Sequence, residues 1–271
     1  MTQRSRTVRR VTTVMCVPQW QGSSAQEARR LVDGAHRAAA LVPADTLVTA
    51  PVLADGGDIE DGVRALSVLT TNLLGTQQTH AAIDDLVITV GGDCGVDLAP
   101  IAAARARHGS ALTVLWIDAH QDLFHPTNLR SFHGMVVRTL LGDGPAALVP
   151  AEPLAPSQLI LAGIREGEPV EYEYAERMGL RRHGVADLAD AFENLTGPVY
   201  VHIDLDVLEP TEFASTCYPV ADGVRSADLA ALVSTVDNLV GGALTEHAPA
   251  PGEPNAAEAE VIRRLGAALV R

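Results

Sequence analysis

The chain has 271 residues, of which 47% are hydrophobic and 4% aromatic, so it can bury a full-sized core and disorder is disfavoured. Its formal net charge of −14 disfavours nucleic acid and anionic membrane surfaces as partners, because both repel an excess of carboxylates. Three widely spaced cysteines do not form a disulfide framework, and no apolar run approaches the roughly 20 residues of a membrane span, so we predict a cytoplasmic protein.

Short β-branched segments alternate along the chain with Ala- and Leu-rich amphipathic segments, a pattern typical of repeated βαβ units and a parallel sheet. The predicted strands cover residues 11–17, 46–52, 85–90, 112–117, 158–162, 180–185, 199–203 and 242–245. The predicted helices cover residues 25–41, 59–74, 95–108, 134–141, 169–178, 226–239 and 255–270. Because there is no internal repeat and no long linker, we predict one α/β domain over residues 1–271, with residues 1–10 as a flexible basic tail.

The third predicted strand ends in the segment Gly91-Gly92-Asp93-Cys94. Two glycines at a strand end let the backbone approach another group closely. Taken alone, however, the segment favours an ordinary strand-to-helix turn in which Cys94 is a small buried residue.

Acidic residues follow the fourth predicted strand with the spacing Asp118-x-His120-x-Asp122. In an extended chain, residues two apart point to the same face, so these three side chains converge just past the strand end. Two carboxylates and an imidazole make half of a metal site. The alternative is a polar loop that contains a helix N-cap.

The seventh predicted strand ends in a similar way, with Asp204 and Asp206 two residues apart. Two like charges at the end of an apolar strand cost free energy unless a cation lies between them, and a divalent metal is the simplest such cation. Both acidic segments stand at the carboxyl ends of predicted parallel strands, where open α/β sheets bind their ligands.

Five short segments of the chain contain glycine, histidine or carboxylate residues. They are Gly-Gly-Asp-Cys at 91–94, Trp-Ile-Asp-Ala-His-Gln-Asp at 116–122, His-Gly-Met at 133–135, His-Ile-Asp-Leu-Asp-Val-Leu-Glu-Pro at 202–210 and Thr-Glu at 245–246. In this order they resemble the signature blocks of the ureohydrolase family, which includes arginase, agmatinase and formiminoglutamase. The resemblance implies a three-layer α/β/α domain around a mostly parallel eight-stranded sheet, two Mn²⁺ ions, and assembly into trimers or hexamers.

The resemblance also implies six metal ligands that form two sites. The two bridging carboxylates are Asp118 and Asp204, one site is completed by Cys94 and Asp122, and the other site is completed by His120 and Asp206. The family normally has histidine at the position of Cys94, and thiolate prefers Zn²⁺ or Fe²⁺ to Mn²⁺, so these metals are alternatives. A branch of the family that acts on hydroxylated arginine is similar in having cysteine there.

The resemblance assigns catalytic roles to Asp122, His133 and Glu246. Glu246 would hold the guanidinium by a charge-assisted hydrogen bond, His133 would protonate the departing nitrogen, and Asp122 would orient a hydroxide that bridges the metals. Such a hydroxide is available near neutral pH because two divalent ions lower the pKa of bound water. For His133, a helix-capping role at the surface is the alternative.

These residues predict a metal-dependent hydrolase that cleaves a C–N bond, other than a peptide bond, in a linear amidine or guanidino compound. Agmatinase-like, formiminoglutamase-like and Nω-hydroxyarginine hydrolase-like activities are alternatives within the family. A mononuclear zinc deacylase needs only one Asp-x-His pair and a further Asp, which leaves Asp122 and Asp206 unexplained. A non-catalytic family member is the last alternative, and intact His133 and Glu246 argue against it.

Two positions depart from the family pattern near the expected substrate. His202 stands where the family commonly has serine, and its depth in the strand predicts a hydrogen bond to a ligand rather than direct metal binding. Phe124 lacks the polar group with which arginases hold an α-carboxylate, which disfavours arginine itself. Arg130 would offer a new contact for an anion.

Three further residues complete the expected substrate site. Glu168 and Glu171 lie in a segment that resembles the acidic block with which the family reads the amino end of its substrate. His125 either enters the pocket or caps the next turn. The sequence therefore predicts a differently held guanidino, amidino or formimino compound as the substrate.

Overall fold

A central parallel sheet organises the chain, whose computed structural model describes residues 11–125, 131–252 and 254–270. The strands are β1 (Thr12–Val17), β2 (Thr46–Thr49), β3 (Ile59–Glu60), β4 (Val63–Arg64), β5 (Leu86–Gly91), β6 (Thr113–Ile117), β7 (Leu159–Ala162), β8 (Arg181–His183), β9 (Val199–Asp204) and β10 (Leu239–Thr245). Eight of them form the sheet in the order β2-β1-β5-β10-β9-β6-β7-β8, and each neighbouring pair is parallel. The predicted basic tail, residues 1–10, lies outside the described residues.

Helices cover both faces of this sheet. They are α1 (Arg30–Ala39), α2 (Leu66–Ala81), α3 (Leu98–His108), α4 (Val136–Leu140), α5 (Pro169–Met178), α6 (Ser226–Val233) and α7 (Ala256–Leu269). Leu115 and Ile117 of β6 pack into the core that contains α1, α6 and α7, whereas Val114 and Trp116 pack into the core that contains α2 to α5. Alternate residues of one strand thus enter opposite cores, which confirms the predicted three-layer α/β/α arrangement. None of the described helices has the length and apolar composition needed to span a bilayer.

The segment before α2 departs from the predicted elements. The helix predicted for residues 59–74 begins at Leu66, because β3 and β4 form a short antiparallel hairpin in front of it. The two turn residues, Asp61 and Gly62, have φ angles of 50° and 78°. Two successive positive φ angles are typical of the Asp-Gly turn that closes a two-residue hairpin, so the local turn chemistry outweighs the helical pattern here.

The carboxyl ends of the central strands lie at one level of the sheet. Ile117 at the end of β6 pairs with Ile203 of β9, and Thr245 at the end of β10 pairs with Asp204 at the end of β9. Strand β5 lies on the other side of β10. The residues that follow these four strands therefore meet at one edge, as the sequence predicts.

Candidate metal centre

An acidic cluster occupies this carboxyl edge of the sheet. Asp118 follows β6, Asp204 ends β9, and Glu246 follows β10, while Asp122 and Asp206 lie in the segments that continue from β6 and β9. The five residues are between 1% and 5% exposed. Carboxylates that are buried this closely require a compensating positive charge or must take up protons.

Hydrogen bonds from the local backbone hold two of these carboxylates in place. Asp204 accepts a hydrogen bond from the Asp206 amide at 2.7 Å, and Asp118 accepts one from the His120 amide at 2.6 Å. The indole N–H of Trp116 donates to the second oxygen of Asp118 at 3.1 Å. Because each bond ties a strand end to the turn that follows it, the side chains are positioned by the fold before any ligand binds.

Asp122 and Glu246 have left-handed backbone conformations, with φ angles of 52° and 65°. Such conformations cost non-glycine residues on the order of 1–3 kcal/mol and are concentrated at functional sites. In each residue one carboxylate oxygen, Oδ2 of Asp122 and Oε2 of Glu246, is buried without a hydrogen-bond partner among the described residues. A bound cation removes the cost of such an oxygen, so these two residues fit a site that binds cations, whether a metal ion or a cationic substrate group.

Three groups of side chains at this edge have ligand atoms within 4.8 Å of one another. They are Asp118 with His120 and Asp206, Cys94 with Asp204 and Glu246, and Cys94 with Asp118 and His202. In the first group, His120 Nδ1 lies 3.0 Å from Asp206 and 3.5 Å from Asp118. Asp122 belongs to none of the three groups, although its charge acts on Cys94. The predicted ligands other than Asp122 therefore come together in sets that could hold a metal ion.

Cys94 begins a 3₁₀ turn, Cys94–Asp97, directly after β5. Its Sγ lies 3.0 Å from Asp204 Oδ2, 3.3 Å from Thr245 Oγ1 and 3.5 Å from His202 Nε2. Burial and then the charge of Asp204 raise the pKa of the Cys94 thiol well above its ordinary value. Cys94 thus borders one of the apolar cores while its Sγ contacts three polar groups, unlike a cysteine that only fills space in a core.

Burial and mutual repulsion control the protonation of the acidic cluster. Burial, followed by the charges of Asp206 and Asp118, raises the pKa of Asp204 well above its ordinary value, and burial with the charge of Asp118 does the same for Asp122. The pKa of Asp206 rises to about 6 for similar reasons. Burial also acts to raise the pKa of Asp118, but hydrogen bonds and charge from His120 outweigh it and hold that pKa below its ordinary value. A divalent cation favours the ionised form of all four carboxylates.

His133 lies beside the acidic cluster, with its Nδ1 3.4 Å from Glu246 Oε1. Its ring stacks on the ring of Tyr218, with 5.1 Å between the centroids and 27° between the planes. Burial acts to lower the pKa of His133, but the hydrogen bond and charge of Glu246 outweigh it, so the pKa is raised. These contacts place a proton-carrying imidazole next to the carboxylates.

An open cavity of about 400 Å³ reaches this edge of the sheet. The predicted site residues that line it are His120, Asp122, Phe124, His133, Glu168, Glu171, Asp204 and Asp206. The other lining residues are Ser24, Ser131, Gly134, Glu166, Gly167 and Tyr218. Cys94, Asp118, His202 and Glu246 are buried and do not line the cavity in the described part of the chain, and His125 is exposed outside it. Arg130 lies outside the described residues.

Glu171 has a structural task that sequence reasoning missed. Its two carboxylate oxygens accept hydrogen bonds from the amides of Leu123 at 3.0 Å and Glu168 at 2.9 Å. The first bond holds the segment that follows Asp122, and the second caps the start of α5. Both carboxylate oxygens of Glu171 already accept hydrogen bonds from backbone amides. The predicted contact of Glu171 with the amino end of a substrate stays a prediction.

Tyr218 and Asp97 are two further residues that sequence reasoning missed. Tyr218 lines the cavity, and its hydroxyl lies 3.4 Å from Ser23 Oγ. A single tyrosine in a loop carries no pattern from which this position can be predicted. Asp97, which is fully buried, lies 2.9 Å from His202 Nδ1. Its position three residues after Cys94, in the same turn, is the only sequence signal for it.

The chain is similar in sequence to known arginases and amidinohydrolases. The chain matches the arginase family over residues 43–270. It is 29% identical over 235 residues to an arginase of Neurospora crassa, which covers 77% of this chain and 66% of that protein. It is 32% identical over 183 residues to an N(omega)-hydroxy-L-arginine amidinohydrolase of Streptomyces lavendulae, which covers 63% of this chain and 64% of that protein. The matched region thus spans slightly less than two thirds of these two relatives.

The fold agrees with solved structures over nearly the whole chain. The crystal structure of Entamoeba histolytica arginase in complex with L-ornithine matches with a TM-score of 0.84 and 20% identity, covering 96% of this chain and 98% of that one. This likeness confirms the predicted arginase-like α/β/α fold. The family match over residues 43–270, which is most of the chain, shows that the chain belongs to the arginase family.

Proposed function

We propose that this protein is a metal-dependent hydrolase that cleaves a C–N bond in a linear amidine or guanidino compound. The observation that carries the proposal is the pair of buried carboxylate oxygens, on Asp122 and Glu246, without a partner among the described residues. They belong to a cluster that also offers carboxylate, imidazole and thiol donors, which is a suitable set for divalent ions. Membership of the arginase family supports the reaction type.

Two divalent ions fit this set of donors, and Mn²⁺ is the proposed native metal. The proposed ligands are Asp118, His120, Asp204 and Asp206 for one ion, and Cys94, Asp118, Asp122 and Asp204 for the other. The thiolate gives the second site a preference for Zn²⁺ or Fe²⁺, which are therefore the alternatives. When bound, the ions supply Lewis acidity that lowers the pKa of water far below its bulk value.

Glu246 and His133 have different roles at the C–N bond that is cleaved: Glu246 holds the guanidinium, and His133 donates a proton to the departing nitrogen. Oε1 of Glu246 accepts a hydrogen bond from the Cys94 amide at 3.1 Å and lies 3.4 Å from His133, which lines the cavity. Oε2 is the oxygen proposed to accept an N–H of a guanidinium that reaches this buried position, in a charge-assisted hydrogen bond. The hydrogen bond and charge of Glu246 raise the pKa of His133, which favours its protonated form, and from that form it delivers a proton to the departing nitrogen. Stacking on Tyr218 keeps the imidazole ring in the orientation that this transfer needs.

We expect the metal-loaded protein to release urea, ammonia or formamide from at least one compound in a panel of guanidino and formimino substrates. The panel includes agmatine, L-arginine and Nω-hydroxy-L-arginine, each assayed with Mn²⁺, Fe²⁺ and Zn²⁺ separately. L-Arginine should be at least about tenfold less efficient than the best substrate, because Phe124 lines the cavity without a polar group and an unpaired buried carboxylate costs more than the about 1–3 kcal/mol of an unpaired neutral group. Equal efficiency for L-arginine would show that another group holds the α-carboxylate, and inactivity on the whole panel at full metal occupancy would support a non-catalytic protein.

We expect His133→Asn to lower kcat by about 10²–10⁴-fold while KM changes little, because the departing nitrogen loses its proton donor. His183→Asn is the matched control, since His183 pairs with Asp187 at the β8 edge of the sheet, away from the cavity. Steady-state kinetics on the best substrate measures both variants. An unchanged kcat in His133→Asn, with a loss of stability instead, would favour the helix-capping alternative.

The metal content separates the proposed hydrolase from a mononuclear zinc deacylase. About two ions per chain support the hydrolase, and a firm count of one supports the deacylase.

We further propose a homo-oligomer, either a trimer or a hexamer, and a cytoplasmic location. Light scattering of the metal-loaded protein tests the assembly.

A further inference from the structure

His202 is held by a fully buried network of polar side chains. Its Nδ1 lies 2.9 Å from Oδ2 of Asp97, and neither residue is exposed. The hydroxyl of Tyr200 donates to Oδ1 of the same carboxylate at 2.5 Å. The indole ring of Trp116 stacks on the imidazole with 3.5 Å between the centroids and 5° between the planes. The orientation of the His202 ring is therefore fixed by Asp97 at one ring nitrogen and by Trp116 across one ring face.

This network decides which ring nitrogen carries the proton. A carboxylate can only accept hydrogen bonds, so the contact with Asp97 requires a proton on Nδ1 of His202. In the neutral ring, Nε2 then presents a lone pair. Histidines that bind metals almost always have this arrangement, in which the other ring nitrogen donates to a carboxylate. The pair formed by Asp97 and His202 thus has the form of a metal-binding histidine and its supporting carboxylate.

Nε2 of His202 lies beside atoms of the proposed metal centre, and the hydroxyl of Thr245 lies 3.4 Å from the same nitrogen. Nε2 lies 3.5 Å from Cys94 Sγ, and Cys94, Asp118 and His202 form a group whose ligand atoms lie within 4.8 Å of one another. Ligands at about 2.3 Å for sulfur and about 2.0–2.1 Å for nitrogen, at a tetrahedral angle around one ion, are separated by about 3.5 Å. The observed separation therefore matches two ligands of a common ion.

We propose that His202 binds, through Nε2, the same metal ion as Cys94, so that an imidazole joins the thiolate and the proposed carboxylate ligands of that ion, among them Asp118. The inference rests on the proposed function only in taking the protein to be metal-dependent. It differs from the expectation based on the strand position, in which His202 contacts a ligand and not the ion. A site with sulfur and nitrogen donors prefers Zn²⁺ or Fe²⁺, whereas the site of His120 and Asp206 is harder and suits Mn²⁺.

Anomalous diffraction from crystals of the full chain loaded with Zn²⁺ tests the inference directly. We expect an ion about 2.0–2.1 Å from Nε2 of His202 and about 2.3 Å from Sγ of Cys94. An ion at Cys94 that lies beyond about 3 Å from Nε2 overturns the inference and leaves the proposed function intact. If no ion binds at this edge of the sheet, both the inference and the proposed function fail.

Metal affinity of two variants provides a second test. His202→Ala should lose one of two Zn²⁺ ions per chain during dialysis against a weak chelator, with the affinity of that site lowered more than about 100-fold, beyond the 10–100-fold effect of a residue that only supports a ligand. His36→Ala is the matched control, because His36 Nδ1 makes a similar contact of 3.6 Å with Cys16 Sγ, away from the acidic cluster. It should keep both ions. A His202→Ala protein that melts earlier but keeps both ions at wild-type affinity would contradict a ligand role.

Discussion

Asp204→Asn is expected to lower kcat by more than about 10³-fold and, at the same time, to stabilise the metal-free protein. The loss of activity follows because Asp204 is a proposed ligand of both ions, and a loss this large exceeds that of removing a single charge-stabilising group from a preorganised site. The gain in stability follows because burial and the charges of Asp206 and Asp118 disfavour the ionised form of Asp204. A neutral amide of the same shape removes that repulsion, and we expect on the order of 1 kcal/mol, or about 2–4 °C in Tm.

Three measurements check this expectation: metal content after dialysis, kcat on the best substrate, and Tm in the presence of a strong chelator. Asp237→Asn, at an exposed position, is the matched control and should change none of the three. A variant that binds two ions normally would show that Asp204 does not bridge them. A metal-free variant less stable than the wild type would show that the hydrogen bonds of Asp204, not its charge, dominate its contribution.

Removal of the metals is expected to make the Tm fall as the pH rises from about 4 to about 7. In the metal-free protein, burial raises the pKa of Asp93 to about 7 and that of Asp206 to about 6, from an ordinary value near 3.8. A raised pKa in the folded state means that the folded protein holds protons more tightly, so its stability is greatest below pH 3.8 and is lost as the pH rises through the raised values. Asp122 and Asp204 act in the same direction. The lowered pKa of Asp118 has the opposite effect on the stability of the folded protein, but only below pH 3.8.

Saturating metal should abolish this dependence, because the cations favour ionised carboxylates. At 100 to 1,000 times the dissociation constant, a bound ion stabilises the folded protein by about 2.7–4.1 kcal/mol, which corresponds to roughly 5–15 °C in Tm for a domain of this size. Thermal melts at pH 4, 5, 6 and 7, with chelator and with Mn²⁺, measure both effects. Asp93→Asn should reduce the slope of the metal-free protein without changing its metal content. A metal-free Tm that increases over this range would show that the buried carboxylates do not dominate the pH dependence of stability.

Local patterns in the sequence determined the fold class and the approximate position of the site. Alternation of β-branched strands with Ala- and Leu-rich helices predicted the parallel sheet, because a strand covered on both faces must be apolar throughout. The two-residue spacing of Asp118, His120 and Asp122, and of Asp204 and Asp206, predicted converging carboxylates, because side chains two apart in an extended chain share a face. These inferences depend on neighbours within one segment, and such neighbours can be read from the sequence.

Only the tertiary structure decided how segments distant in the sequence meet. The strand order β5-β10-β9-β6 brings the turn after β5 against β9, so Cys94 meets His202 across more than a hundred residues, and Asp97 becomes the partner of that histidine. The stacking of Tyr218 on His133 likewise depends on the position of the loop between β9 and α6, which the tertiary structure sets. No periodicity within a segment records such contacts, because they depend on strand order and register, which are set by the packing of the whole chain.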